Sequence, residues 1–294
     1  MKILIFGANG QVGQEFRKLK LDSSFQMTFF GRKELDLLNS NKILDVLIAS
    51  SPDVIINCAA YTKVDEAETN PKDAFRINAE AVKTLAEGCS KNNIILIHLS
   101  TDYIFGGSGE IPFRESDQAT PVSIYGKSKL QGEIDIRNQL KRHIILRTSW
   151  VFGEFGNNFV KTMLRSGASK NELEIVSDQW GSPTSAEGIA ECCMQICKKI
   201  NLSEDNINWG TYHFSGSPYT SWHGFADAIF TTAFELGLIN KKPKLIAVNS
   251  SAFPTSARRP KNSRLNCDKL YSQFNIHPDD WNKKLSSVLR ELDF

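Results

Sequence analysis

Tyr125 and Lys129 stand four residues apart in Tyr125-Gly126-Lys127-Ser128-Lys129, so on a helix a phenol and an ammonium share one face. A tyrosine ordinarily titrates at about 10, and a neighbouring cation favours its phenolate and lowers that value. Such a pair can give a proton to a ketone oxygen while a hydride reaches the carbon. Upstream, Ser100-Thr101-Asp102-Tyr103 closes an apolar run, and a Thr101 hydroxyl at that point can hydrogen-bond the same carbonyl oxygen. Each signal alone has a plainer explanation: a solvated helix face for the Tyr–Lys pair, a local turn for Thr101. Their combination needs something that delivers a hydride.

That requirement is met at the N-terminus. Gly7-Ala8-Asn9-Gly10-Gln11-Val12-Gly13 follows an apolar run directly and opens a helical stretch. Gly7 permits the tight turn, Gly10 lets the backbone approach a pyrophosphate, and Gly13 lets the helix pack closely on the sheet. The backbone amides of the helix start then face the anion. The spacing is a variant of the dinucleotide fingerprint, and its place at the first strand-to-helix turn makes dinucleotide binding the expectation. An acidic residue at the end of the second strand would read the ribose hydroxyl of NAD; this chain has Gly31-Arg32-Lys33 instead. A guanidinium at Arg32 pairs with a 2′-phosphate, which favours NADPH, while Glu34 and Asp36 keep NADH as the alternative.

The elements that must position these groups are visible as short apolar runs: Lys2–Phe6, Gln26–Phe30, Asp53–Asn57, Ile94–Leu99 and His143–Thr148. Continuous rather than alternating apolar strands are what a parallel sheet covered on both faces requires. Between them lies room for crossover helices, among them Asn78–Cys89, with Asn78 expected as its cap. The fold class is therefore α/β, a doubly wound, Rossmann-like parallel sheet. After about residue 150 the alternation gives way to loop-rich stretches, with Thr211–Gly216 as one more strand returning to the first sheet. The expected division is a dinucleotide-binding domain at 1–150 with a returning segment near 185–230. A smaller substrate-binding domain would then be interleaved at 151–184 and 231–294.

Composition narrows the class further. Lys plus Arg number 35 against 33 Asp plus Glu, a net charge of +2, so no global field draws the chain to nucleic acid or to an anionic membrane. The Ile3–Phe6 run ends at Gly7, too short for a signal segment or a spanning helix. Six cysteines without a Cys-x-x-Cys fit neither a disulfide framework nor a zinc site, and Cys192, Cys193 and Cys197 read as small buried apolar groups. A cytoplasmic location with reduced thiols is the expectation. The basic turn Ala257–Leu265 carries Arg258, Arg259, Lys261 and Arg264 around Pro260. It reads as a clamp for a pyrophosphate-bearing substrate rather than a nucleic-acid patch.

With these residues in place, the sequence resembles an extended short-chain dehydrogenase/reductase, and within that family the enzymes acting on dTDP-linked 4-ketosugars. The similar segments are 7–13, 52–68, 100–105, 125–133, 147–153, 157–164, 178–184 and 257–265, in the family's order along nearly the whole chain. The resemblance implies NADPH-dependent reduction of dTDP-4-dehydro-β-L-rhamnose to dTDP-L-rhamnose. It makes Tyr125 the proton donor, Lys129 its partner on the nicotinamide ribose, and Thr101 the third catalytic hydroxyl. Gly10, Gln11 and Val12 would contact the pyrophosphate, Asp36 and Leu37 the adenine, and Ala60, Tyr61 and Thr62 the middle of the cofactor. Thr101, Asp102, Trp150, Arg258 and Arg259 would hold the sugar nucleotide, with the Trp150 indole against the deoxysugar. Some members bind Mg²⁺ through glutamates, at times at a subunit interface, and Glu15, Glu187 and Glu291 match those positions. Mg²⁺ and a homodimer thus come with the resemblance, although a ketone reduction with a tyrosine acid needs no metal and no metal ligand is assigned. The rival readings are another nucleotide-sugar 4-ketoreductase or epimerase, and a non-catalytic NADP-binding regulatory subunit.

Overall fold

The computed structural model describes residues 1–20 and 22–292 of the chain; positions 293 and 294 of the expected C-terminal stretch lie outside them. The first half alternates as β1 (Lys2–Phe6), α1 (Gln11–Lys18), β2 (Gln26–Phe30), α2 (Ser40–Ser50) and β3 (Val54–Asn57). Then follow α3 (Val64–Thr69), α4 (Pro71–Phe75), a π turn at Arg76–Glu80, α5 (Ala81–Lys91), β4 (Ile95–Thr101), α6 (Ile124–Gln139) and β5 (His143–Thr148). The second half holds β6 (Val151–Phe152), α7 (Phe159–Ser169), β7 (Glu172–Val176), β8 (Trp180–Gly181), β9 (Thr184–Ser185) and α8 (Ala186–Ser203). It closes with β10 (Gly210–His213), β11 (Thr220–Ser221), α9 (Trp222–Glu235), β12 (Lys244–Val248), α10 (Asp268–Phe274) and α11 (Trp281–Glu291).

Six strands form one sheet in the order β10-β5-β4-β3-β1-β2, every neighbouring pair parallel. The chain runs outward from β1 to β2 and then returns to β3 on the other side. The crevice beyond the carboxyl ends of β1 and β3 is therefore the topological switch point where such folds bind ligands. Alternate residues of each strand go to opposite faces, and both faces are covered. Ile3, Ile5, Ile56, Ile97 and Leu146 pack with α8 on one side, and Leu4, Phe6, Ile55, Leu96 and Ile145 pack with α5 on the other. Burial on both sides is why the strands read as unbroken apolar runs.

Asn78 departs from expectation. It caps nothing, because α4, the π turn and α5 run on without a break. Its buried amide instead accepts from Tyr61 N–H (2.8 Å) and donates to Tyr61 O (3.0 Å) and Ser128 Oγ (3.0 Å). The extra residue of a π turn turns the side chain inward, where it ties the loop after β3 to α6.

A second apolar cluster gathers α7, α9, α11 and the parallel pair β7–β12 around Phe152, Val160, Phe225, Phe230 and Leu285. Two details differ from the expected division. Most of α9 falls in the stretch foreseen as returning to the first sheet, yet it packs here. Conversely Leu270 and Phe274 of α10 join α8 beneath the six-stranded sheet. The returning strand itself is present: β10 pairs with β5 from Gly210↔Ile144 to His213↔Arg147.

Candidate active site

Gly7 leaves β1 with φ of +76°, in the left-handed region that favours glycine, and a Cβ there would lie 2.6 Å from Ala59 N. At Gly13 a Cβ would collide with the carbonyl oxygen of Gly7, so α1 can close on the turn only with glycine there. Gly10 precedes α1 in extended conformation, and no side chain caps the first-turn amides of that helix. These donors, with no acceptor from a capping side chain, suit an anion.

They open into a cleft of about 640 Å³ at the switch point. Gly7, Gly10, Gln11, Val12, Arg32, Asp36, Leu37, Ala60, Thr62, Tyr125 and Lys129 all line it, which brings together most of the residues expected to touch a dinucleotide. Gly13 is buried behind the turn, and Tyr61 stands beside the cleft with its backbone held by Asn78. Arg32 is largely exposed (78%) and lies 3.5 Å from Asp36, so its guanidinium already has one carboxylate neighbour. The lining also includes Cys58, Leu99, Ser100, Thr148, Val151 and Asn157, which the sequence reading did not single out. Several are small groups at the ends of β3, β4 and β5, chosen by position rather than type. The usable signal was the strand-end rule for open α/β sheets.

Tyr125 enters the cleft from the first turn of α6, whose cap is Ser123, accepting from Gly126 N–H. The phenol is 9% exposed, and its ring meets Tyr103 edge-on at 5.6 Å. Burial raises its pKa above the ordinary tyrosine value; the neighbouring Thr101 hydroxyl opposes the shift, and Asp102 and Tyr103 add to it. The lowering expected from a neighbouring Lys129 cation thus does not prevail over burial. Lys129 is 1% exposed and its Nζ donates to Leu99 O (2.8 Å) and meets His98 Nε2 at 3.2 Å. Burial pushes that amine down to about 8, against the opposing pull of Glu133 and Cys58. The phenol is accordingly a proton source, not a standing anion.

Thr101 ends β4 with its hydroxyl accepting from Tyr103 N–H (3.2 Å) and donating to Asp102 Oδ1 (3.0 Å). Asp102 is 2% exposed, its Oδ2 has no hydrogen-bond partner in the structure, and burial lifts its pKa to about 6. Both lie at the foot of Tyr125 without lining the cleft. Trp150, with φ of +47°, stacks on Trp222 at 3.5 Å and 8°, so one indole face is covered by another indole.

A larger cavity of about 1270 Å³ lies against the second cluster, lined among others by Gly107, Phe159, Gln179, Trp222, Arg258 and Arg259. The basic turn is not uniformly free for a ligand. Arg259 pairs with Asp65 of α3 at 2.8 Å, Lys261 with Asp178 at 3.2 Å, and Arg264 bonds Asn262 Oδ1 and Glu110 O. Arg258 is exposed in the cavity wall. Of the glutamates matched to a metal, Glu187 meets Lys284 at 3.0 Å, Glu291 lies 3.7 Å from Lys18, and Glu15 is buried. Among the described residues no group of three or more His, Cys, Asp or Glu is arranged to hold a metal ion. No helix among them is long and apolar enough to cross a membrane.

Comparison with known proteins converges on one group. The model of the RmlD substrate binding domain family matches residues 1–294. A dTDP-4-dehydrorhamnose reductase of Aggregatibacter actinomycetemcomitans is 40% identical, the match covering 98% of either chain. The Escherichia coli protein of the same name is 38% identical over 99% of this chain and 98% of its own. Among solved structures, the dTDP-4-dehydrorhamnose reductase of Bacillus anthracis in complex with NADP superposes with a TM-score of 0.89 at 34% identity, covering 99% of both chains. The UDP-glucose 4-epimerase of Brucella ovis, in complex with NAD, has a TM-score of 0.79 but only 16% identity over 99% of this chain and 97% of its own, and shares the fold alone.

Proposed function

The chain belongs to the RmlD substrate binding domain family, and from that membership we propose that it is an NADPH-dependent oxidoreductase that reduces dTDP-4-dehydro-β-L-rhamnose to dTDP-L-rhamnose. One observation carries the reading: Tyr125 and Lys129 line the same cleft as the Gly7–Val12 turn, so a proton donor faces the place where a dinucleotide fits. The fit rests on the uncapped amides of α1 and on the glycine turn that leaves room for phosphates. When bound, the nicotinamide supplies the hydride. The chain's own residues do the rest. Gly10, Gln11 and Val12 hold the pyrophosphate, Asp36 and Leu37 flank the adenine, and Ala60, Tyr61 and Thr62 contact the middle of the cofactor. Lys129 holds the nicotinamide ribose. Thr101 and Asp102 orient the ketosugar, and Tyr125 gives its proton to the oxygen as carbon becomes an alcohol.

The first sheet with α8 and α10 serves as the cofactor domain, and the cluster of α7, α9 and α11 as the sugar-nucleotide domain. The Trp150 indole packs against the deoxysugar, one of its faces being already stacked on Trp222. Arg258 and Arg259 bind the substrate pyrophosphate. A homodimer follows from the resemblance, and a cytoplasmic location from the cysteine usage; the three glutamates matched to Mg²⁺ do not form a metal site, since Glu187 and Glu291 lie beside lysines and Glu15 is buried apart. Sedimentation reads the oligomeric state. The function itself is tested by incubating the protein with NADPH and a panel of 4-keto nucleotide-sugars while following nicotinamide absorbance. Turnover of the dTDP-linked 4-keto-deoxysugar in preference to the others is expected, and oxidation of NADPH with none of them overturns the reading.

A further inference from the structure

Asn158 has no part in the reduction as described, yet each polar atom of its side chain is committed. It ends the loop 153–158 and caps α7, its Oδ1 accepting from Lys161 N–H at 3.2 Å. The other arm of the amide is therefore the NH₂. It donates to Gly153 O at 2.7 Å, an atom that can only accept, and to Gln11 Oε1 at 3.0 Å. The donor–acceptor accounting has one solution. A donating Asn158 fixes the oxygen of the Gln11 amide toward itself and leaves the Gln11 NH₂ turned away. Gln11 opens α1, beside the first-turn amides that no side chain caps, and it lines the cleft. Among the described residues its Nε2 has no hydrogen-bond partner, so that donor is open to a ligand.

The loop that carries Asn158 is pinned to α1 at two further points. Glu154 pairs with Lys18 at 2.5 Å, and Gly156, with φ of +65°, lies so close that a Cβ there would sit 2.8 Å from Gln11 Cγ. Just beyond, Phe159 of α7 packs on Trp222 with ring centroids 4.6 Å apart. The contact on Gln11 thus arrives from the second apolar cluster, across 147 positions of the chain. We propose that Asn158 is a positioning residue for the cofactor: by holding Gln11 Oε1 it presents the Gln11 NH₂ to the dinucleotide pyrophosphate. The inference rests on the reading of the cleft as a dinucleotide site with Gln11 at the pyrophosphate. An untethered glutamine amide turns either end to the cleft, and its oxygen repels a phosphate where its NH₂ binds one. Fixing the amide before the cofactor arrives removes the cost of ordering it on binding. Part of the cofactor affinity is in this way set by the sugar-nucleotide half of the molecule.

The role can be read from binding alone. Asn158→Ser keeps a capping oxygen for α7 and adds no charge, but it loses the amide donor that holds Gln11. Titrated calorimetrically with NADPH, this variant should bind about tenfold more weakly, the scale of a lost hydrogen bond to a charged group. In turnover, KM for NADPH should rise while kcat at saturating NADPH stays near wild type. Gln11→Ala should lose about as much affinity, and adding Asn158→Ser to it should change nothing more, because Asn158 acts through Gln11. Asn158→Asp, also a good cap, offers Gln11 acceptors only; it should turn the amide round and weaken NADPH binding by more than the serine does. Undiminished NADPH affinity in either Asn158 variant overturns the positioning role. Losses that add in the double variant do so too, since Asn158 would then act through the fold of its loop. The expected pattern in a protein that reduces no 4-ketosugar supports the positioning role and overturns only the reductase reading. A wild type that binds no dinucleotide overturns both.

Discussion

Tyr125 is held by burial in the form that can give a proton, and the same burial makes it expensive to leave as phenolate. Loss of the hydroxyl should therefore strike the chemical step and spare binding. Tyr125→Phe keeps the ring against Tyr103 and keeps Lys129 and the glycine turn, so NADPH affinity should stay near wild type. Turnover should fall by about 10²-fold or more, the scale of a lost general acid; stopped-flow hydride transfer with a 4-keto nucleotide-sugar checks it. Arg32 sets a second residue-scale expectation. Its guanidinium is solvated and shares Asp36, so a 2′-phosphate gains a charge-assisted contact weakened by screening. A preference for NADPH over NADH of about tenfold follows, equivalent to ~1.4 kcal/mol. Arg32→Asp should reverse it, read as kcat/KM for both cofactors at low salt.

At the scale of elements, α6 is fastened to the sheet by a buried ion pair. Glu133 accepts from Arg147 Nε and NH2 at 2.9 and 2.7 Å, and both side chains are shielded from water. Desolvation works against the Glu133 carboxylate, but the guanidinium beside it prevails and holds its pKa below the ordinary value. A depressed carboxylate adds stability above its unfolded pKa and loses it as pH falls through the folded one, so this contribution disappears only in acid below the usual glutamate range. Glu133→Gln leaves Arg147 charged and under-paired, and should cost about 3–5 kcal/mol in urea unfolding at pH 7. The gap to wild type should narrow as pH drops.

Elements also show what the sequence disclosed and what it withheld. Ile3 to Phe6 and Val54 to Ile56 were legible because strands buried on both faces must be apolar at every position. The placing of Tyr125 and Lys129 on one helix followed from spacing alone. The π turn around Asn78 was not legible, because an inserted residue changes which way a side chain points without changing its type. Nor was Arg259's attachment to Asp65, a contact across 194 positions that only the folded chain creates. The contact of Lys129 with His98 escaped for the same reason: β4 and α6 meet there only in the folded chain.

For the molecule as a whole, a net charge of +2 supplies no long-range pull on a doubly phosphorylated substrate, so recognition must come from local cations. The cofactor cleft and the larger cavity are lined by different segments, the first by the loops after β1, β2 and β3, the second by α7, Trp222 and the 249–261 stretch. Within that stretch the cations are unequal. Arg259 and Lys261 already neutralise Asp65 and Asp178, whereas Arg258 is exposed in the cavity wall. Arg258→Ala should thus remove a charge-assisted contact with the substrate pyrophosphate, on the order of 1.5 kcal/mol, and weaken sugar-nucleotide binding by about tenfold. Arg259→Ala should weaken it as well while also releasing Asp65, an exposed pair whose own contribution to stability is about 0–1 kcal/mol. Neither change touches a residue of the cofactor cleft, so NADPH titrated calorimetrically should bind both variants as it binds wild type. Raising the salt concentration should shrink the difference between Arg258→Ala and wild type, because solvent-exposed charges are screened within about 8 Å at physiological ionic strength. Equal loss of NADPH and sugar-nucleotide affinity in either variant would mean instead that the 257–265 segment holds the two halves of the molecule together and binds no phosphate.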